Sequence, residues 1–570
     1  MARRQPIGID LGTTNSVAAA LVEGRPQILE DSRGHTRVPS VVAFQGWDFT
    51  VGEAAKDLVL THPKQTVYGI KRLMGRRFDS REAMDARRRM AYRIEEASDG
   101  GVLVGLGDHN FTPVDISAVI LKAVRENAER ILGGEVSEAV ITIPAHFTHA
   151  QRLATLDAAK LAGIKCDRLI HEPTAAALAY AYEKPEAKTF LVFDLGGGTF
   201  DVTILRYEGK SYEVLATYGD TYLGGEDFDF RIVDHLARRF ADNNDIDPWS
   251  DRLAIQRLKK AAEQIKTELS FRNEVDISLP GFVGGKDLRD VLTRTALEEL
   301  VSDLAFRTIQ IAGGTVADAG LKNSEIDEVI LVGGQTRMPL IREGLRSLFD
   351  REPSQKVNPD QVVAIGAAAH AAKLHDPDLD TSVFIDVIPY AMGIEVAAGA
   401  FQPIFGKYER VPSEQTKSFV TQKDNQETIA FVVRQGNSMK AADNEFLAQY
   451  IVRGIPPAPR MGTQVEATFH LDENIRVRVT AKDKATGREL PIEVRNYAQM
   501  RAAAAQAAVE REQAKKEASG SHPTVAKPRT VVTRPELAKT EPMRRHSAWR
   551  RFLFWIARWT RALAEGSRDR

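Results

Sequence analysis

Two short segments of this 570-residue chain carry the residue types needed to hold phosphate: IGIDLGTTNS (7–16) and VFDLGGGTFD (192–201). In each, an apolar strand ends in an aspartate, a turn of glycine and threonine follows, and a second apolar strand leaves. Small turn residues let phosphate oxygens approach backbone N–H groups and hydroxyls, and the aspartate supplies a hard oxygen suited to Mg²⁺ held mainly through water. Either turn alone reads more readily as a plain β-hairpin. At matched positions in a repeat, they predict a triphosphate gripped from both sides.

The repeat extends beyond the turns. AVITIPAHF (139–147) and EVILVGGQTR (328–337) are later apolar strands with a break, each followed by a proline-started, alanine-rich helix, EPTAAALAYA (172–181) and NPDQVVAIGAAAHAA (358–372). Asp10 to Pro173 is 163 residues and Asp194 to Pro359 is 165. This spacing predicts two copies of one α/β unit with a cleft between them. From 387 to 497 the texture changes to short alternating runs such as SFVTQ, ETIAFVVRQG and VEATFHLD, the pattern of an antiparallel β-sandwich.

Composition agrees with several domains. Hydrophobic residues make up 43% and charged residues 27%, as in ordinary globular chains. A single cysteine, Cys166, excludes an internal disulfide framework and predicts a reducing, cytoplasmic compartment, and no apolar run has the length of a signal peptide or membrane span. The net charge of −1 hides an asymmetry: residues 544–570 hold eight arginines and two acids, +6, which leaves −7 on the rest. The body gives no reason to expect nucleic acid.

With these motifs in order, joined by IKRLMGRRF (70–78), DTYLGGEDFD (220–229) and VNPDQVVAIGAA (357–368), the chain resembles the 70-kilodalton heat-shock chaperones, the DnaK-like family, over about residues 5–497. The resemblance implies an actin-like ATPase unit (1–380), an interdomain linker (381–386) and a β-sandwich that binds unfolded clients (387–497). It implies ATP and ADP as ligands with Mg²⁺, and roles in protein folding and stress response. Asp10, Gly12, Thr13 and Thr14 match the first phosphate loop, with Gly196, Gly197 and Gly198 in the second. Lys71, Glu172, Asp194, Thr199 and Asp201 match the residues around the transferred phosphate, the metal and the attacking water, with Asp10, Asp194 and Asp201 near Mg²⁺. Gly224, Gly225, Glu226, Glu263, Lys266, Ser270, Gly333, Gly334, Arg337 and Asp360 match segments holding phosphate and adenosine. Met392, Ile394, Phe419, Ile429 and Phe431 match the client pocket, although by pattern alone they read as sandwich core; Ala397 and Gln422 match the arch over the client. Val383, Phe384, Ile385 and Asp386 match the apolar linker that carries the signal between domains.

There are departures from the family pattern. Leu156 replaces a basic residue thought to act in co-chaperone signalling, while Arg152 and Arg168 keep their counterparts, so a J-domain partner is implied. Thr267 stands where some members have an arginine. Residues 279–297 are shorter than usual in a lobe that nucleotide exchange factors touch, which leaves such a partner open.

After residue 497 the departure is larger. QMRAAAAQAAVEREQAKKE predicts one short helix over 498–517, a vestigial lid with too few large apolar residues for a bundle. Residues 518–546 contain four prolines and read as a disordered linker. Over 547–564, Trp549, Phe552, Leu553, Trp555, Ile556, Trp559 and Leu563 fall on one helix face, with Arg550, Arg551, Arg558 and Arg561 opposite and Phe554 the misfit. Three destinations fit such a helix: an anionic membrane surface, the chain's own client groove, or a partner's groove. For the whole chain the readings are an ATP-dependent chaperone or, alternatively, a nucleotide-switched scaffold for one dedicated partner.

Overall fold

Two sheets of the computed structural model repeat one design. The structure describes residues 6–495 apart from 32, 47, 182–187, 209–210, 355–357 and 376–382. The expected helix at 498–517, the linker at 518–546 and the helix at 547–564 lie outside the described residues, as do 381 and 382 of the interdomain linker.

In the first sheet the strands Ile7–Leu11 and Asn15–Val22 form an antiparallel hairpin around the first glycine turn. Ile7–Leu11 is flanked on its other side by the parallel strand Ala139–Ile143, and that by Leu169–His171. In the second sheet Lys188–Leu195 and Phe200–Glu208 form the hairpin, and Glu328–Val332 runs parallel beside it. A single parallel bridge from Ile330 to Ser354 occupies the place of the next strand. Asp10 and Asp194 hold equivalent registers, opposite Thr142 and Val332 on the parallel neighbours. The strands read as continuous apolar runs because sheets of this kind are covered on both faces. Leu191, Phe193, Phe200, Val202 and Phe228 anchor the second unit's core, and Ile9, Ile141, Leu121 and Ile120 the first.

The alanine-rich helices Glu172–Ala181 and Val362–His375 cross between the units, and their sequences are small for a steric reason. A Cβ on Gly366 would stand 1.8 Å from the Ala175 carbonyl oxygen, and one on Gly8 would stand 2.1 Å from the Ala368 nitrogen. Helix and strand backbones are therefore in direct contact at the seam.

The sandwich pairs a five-stranded sheet, ordered 401–405, 392–395, 429–435, 445–452 and 492–495, with a three-stranded sheet of 413–420, 464–471 and 477–483. Phe405, Phe431, Phe469, Val465 and Leu471 fill the space between. It touches both units. The Asn474 side chain accepts from the Leu169 N–H (3.4 Å) and donates to the Asp167 carbonyl (3.2 Å) on the first. On the second unit, Lys407 and Tyr408 both reach Asp318 (2.8 and 2.9 Å), and Arg410 pairs with Glu213. Among the described residues, no helix is long and apolar enough to cross a membrane.

The seam yields a direct test. Gly366→Ala is expected to lower stability by about 3 kcal/mol through overpacking against backbone. Gly314→Ala, in the helix Arg294–Asp318 where a Cβ meets nothing within 4 Å, is expected to raise it by roughly 0.5–1 kcal/mol. Urea or thermal unfolding of the two variants checks this, and equal midpoints would refute the steric account.

Candidate active site

The two glycine turns face each other across a cleft. Gly197 is so close to the first turn that a Cβ there would lie 2.0 Å from the Thr14 hydroxyl, and one at Gly198 would lie 2.6 Å from the Thr13 methyl. Asp10, Gly12, Thr13 and Thr14 line one wall; Asp194, Gly196, Gly197 and Thr199 line the other. Lys71, Glu172, Gly333 and Asp360 complete the set of expected residues that face the space. The space is about 610 Å³, part of it open to solvent.

The other expected residues stand behind this surface. A Cβ on Gly224 would meet the Gly197 carbonyl at 2.6 Å, and the N–H groups of Gly225 and Glu226 donate to the carbonyls of Gly196 and Gly197, both at 2.9 Å. The 224–226 segment thus braces the second turn. Lys266 braces the brace, donating to the Gly225 carbonyl (2.9 Å) and pairing with the largely buried Asp229 (2.9 Å). Burial pushes Asp229 up to about 6 despite Lys266, with Glu263 adding to the rise. The Ser270 hydroxyl bonds back to the Lys266 carbonyl (3.3 Å). Gly334 backs Asp360, and Arg337 pairs with that carboxylate at 2.8 Å.

Electrostatics at the floor are dominated by acids. Lys71 Nζ lies 2.6 Å from Glu172 Oε1 with both side chains buried. Burial pushes Glu172 up to about 7 against the opposing charge of Lys71, and Asp10 adds to the rise. Asp194 is raised well above the ordinary carboxylate value by burial and by Glu172, Asp201 and Asp10; Asp10 is raised by burial against the pull of Lys71. A lysine and a surplus of carboxylates that resist ionising are a fit for an added cation. Among the described residues, no three His, Cys, Asp or Glu side chains converge tightly enough to wrap a metal. Asp10 and Asp194 offer hard carboxylate oxygens of the kind that suits an ion keeping much of its water, as Mg²⁺ does.

Asp201 is placed differently from the other acids. It does not line the cleft but accepts from the backbone N–H of His146 at 3.3 Å and lies 2.9 Å from its Nδ1. Pattern reading passed over His146, a lone histidine in ITIPAHF, because the partner is 55 residues away. It also passed over Arg72, whose neighbour Lys71 drew the attention. The Arg72 guanidinium is buried, donates to the Gly197 carbonyl (3.3 Å) and pairs with Asp227 (2.9 Å) and Glu226 (3.4 Å). Arg37 at the mouth was equally unmarked.

In the sandwich, Met392, Ile394 and Phe431 are buried in the core between the sheets. Phe419 and Ile429 sit partly exposed at its edge, with the Phe419 and Phe431 rings 4.6 Å apart. Ala397 and Gln422 are exposed.

The linker joins sandwich and cleft as a strand. Val383–Val387 pairs parallel with Ser211–Asp220, extending the second sheet, and Phe384 stacks on Tyr212 at 4.7 Å. Asp386 Oδ2 lies 2.8 Å from His171 Nδ1, while His171 Nε2 is 2.7 Å from the buried Arg152. Burial alone would raise Asp386, but His171 and Arg152 hold it below the ordinary carboxylate value. His171 directly precedes Glu172, so this pairing ends one residue from the cleft floor.

A family model described as Hsp70 protein matches residues 6–531, a span that takes in both glycine-turn units, the linker strand and the sandwich. Within it, the linker pairing is open to direct measurement. Asp386→Ala leaves His171 and Arg152 buried without their carboxylate, at a cost of about 3 kcal/mol. Proteolysis at 381–387 is expected to accelerate more than tenfold; an unchanged cleavage rate would show that the pairing does not hold the strand.

Proposed function

Because the chain belongs to the Hsp70 family, we propose that it is an ATP-hydrolysing molecular chaperone whose nucleotide state sets the client affinity of its sandwich. Members of the family are ATPases that bind ATP and ADP with Mg²⁺ and act on unfolded clients with J-domain co-chaperones. The observation that carries the reading for this chain is the meeting of two glycine turns over Lys71, Glu172, Asp10 and Asp194 in one cleft.

The residues divide the work. Backbone N–H groups of Gly12–Thr14 and of Gly197 and Gly198 cradle the phosphate chain. Lys71, fixed by Glu172, supplies positive charge to the transferred phosphate. Asp10 and Asp194 hold hydrated Mg²⁺, which offsets charge on the phosphates when bound. Thr199 orients the attacking water, with Asp201, held by His146, standing behind it. Phosphoryl transfer asks chiefly for this positioning and charge compensation. The linker strand then relays the state of the cleft to the sandwich, where Phe419 and Ile429 with Met392, Ile394 and Phe431 form the client pocket under Ala397 and Gln422.

Burial of Met392, Ile394 and Phe431 favours a second reading, a nucleotide-switched scaffold that binds one dedicated partner and no extended client. Steady-state ATPase rates with and without an unfolded peptide and a J-domain separate the two. Stimulation by both, with Lys71→Ala losing roughly 10²-fold or more in rate, supports the chaperone. Absence of stimulation by either supports the scaffold, and no hydrolysis by the wild type removes both.

For residues 547–564 we propose peripheral attachment to an anionic membrane. Half-burying seven apolar side chains yields roughly 5–10 kcal/mol gross, ordering the segment consumes much of that, and each arginine near an anionic leaflet adds about 1 kcal/mol. Charge therefore decides binding. Liposome co-sedimentation of the full chain and of a chain ending at Ser519 is expected to show pelleting of the full chain alone, with anionic lipid and lost at high salt. Equal pelleting of both would sink the proposal.

A further inference from the structure

The cleft lining contains one cation that the roles above leave unused. Four carboxylates line the space, Asp10, Glu172, Asp194 and Asp360, against two cations, Lys71 and Arg37. Lys71 is committed to Glu172 at 2.6 Å. Arg37 is carried by the first glycine turn itself. Val38 and Pro39 pair with Ser16 and Asn15, the Ser40 N–H donates to the Thr14 carbonyl (2.8 Å), and the Ser40 hydroxyl donates to the Gly12 carbonyl (2.8 Å). From that base the guanidinium reaches across the mouth to Asp360 Oδ2 at 3.3 Å.

Asp360 belongs to the opposite wall. Its neighbour Pro359 accepts from the Gly333 N–H at 3.1 Å, and the carboxylate also takes Arg337 at 2.8 Å. Arg37, Asp360 and Arg337 thus form a charged bar joining the two phosphate-holding units. Its position along the cleft is given by its two bases: Val38 and Pro39 pair with the strand that leaves the first glycine turn, and Gly333, tied to Pro359, lies so close to the second turn that a Cβ there would stand 2.4 Å from the Leu195 carbonyl oxygen. The bar stands at the phosphate end. The Arg37 side chain keeps 47% of its surface exposed, whereas Asp360 keeps 18%. A guanidinium has five N–H donors in a planar fork, and the Asp360 pair engages one of its nitrogens. The remaining donors have the geometry that phosphate oxygens accept.

We propose that Arg37 binds the phosphate chain of the nucleotide and, through its reach to Asp360, closes the mouth so that nucleotide leaves slowly. This deepens the nucleotide reading above and rests on it. The test follows release of a fluorescent N-methylanthraniloyl ADP, displaced by excess ATP in stopped flow, from the wild type, Arg37→Ala, Arg37→Lys and the double variant Arg37→Ala with Asp360→Asn. Loss of a charge-assisted contact predicts release roughly tenfold faster from Arg37→Ala, an intermediate rate from Arg37→Lys, and no recovery in the double variant. Adenosine affinity, measured in parallel, is expected to be unchanged because adenosine has no phosphate. Release from Arg37→Ala at the wild-type rate overturns the proposal. Recovery of slow release in the double variant also overturns it, since Arg37 would then act only by neutralising Asp360. Failure of the wild type to bind the nucleotide at all would remove the nucleotide reading itself, and the role of Arg37 with it.

Discussion

The contact on which the rest of the structure depends is close approach at glycine. At Gly197 a Cβ would stand 2.0 Å from the Thr14 hydroxyl, at Gly224 2.6 Å from the Gly197 carbonyl, and at Gly366 1.8 Å from the Ala175 carbonyl. A side chain at Gly197 or Gly366 would push the two repeated units apart, and one at Gly224 would push the 224–226 segment off the second turn. The cleft would then widen, and donors on opposite walls would no longer converge on one small group. Glycine is required here by close approach, and the alanines of the two crossing helices extend the same constraint along the seam. Phosphate chemistry follows from this contact because a surface made of backbone N–H groups is available only where side chains are missing.

Close approach also concentrates charge. Each unit contributes an aspartate at the end of its hairpin strand, Asp10 and Asp194, and the first adds Glu172 at the start of its helix. Brought together in a buried place they raise one another, and one lysine does not offset them. The same duplication that builds a symmetric grip on a polyanion therefore builds a demand for a cation between protein and ligand. Arg72 and Lys266 stand one layer back, where their pairs with Asp227 and Asp229 fix the segment that holds the second turn in place. Their charge stabilises the frame and leaves the cleft to Lys71 and Arg37.

Much of this was legible in the sequence where the signal is local. The two hairpins, their parallel neighbours and the proline-started helices follow from apolar runs punctuated by glycine and proline, and the matched spacing exposes the repeat before any contact is known. Long-range pairs were not legible. Arg37 meets Asp360 across more than three hundred residues, Arg72 meets Asp227 across 155, and His146 meets Asp201 across 55. Nothing in the neighbourhood of any of the three announces its partner. The sandwich shows a different limit. Alternation correctly turns Met392, Ile394 and Phe431 inward, but period two says only that a side chain faces the interior. It does not distinguish a core from a channel that opens in another state.

The sandwich and the cleft are joined by a pairing that has two ways to fail. Val383–Val387 is held by ladder hydrogen bonds to Ser211–Asp220 and by the charged cluster of Asp386, His171 and Arg152. The ladder is attached to the second unit and the cluster to the first. A change in the angle between the units cannot satisfy both at once, because His171 moves with Glu172 while Tyr212 moves with the hairpin of Asp194. The strand is thus anchored to both units at once. The contacts of Asn474 with the first unit and of Arg410 with the second anchor the sandwich as a whole in the same way.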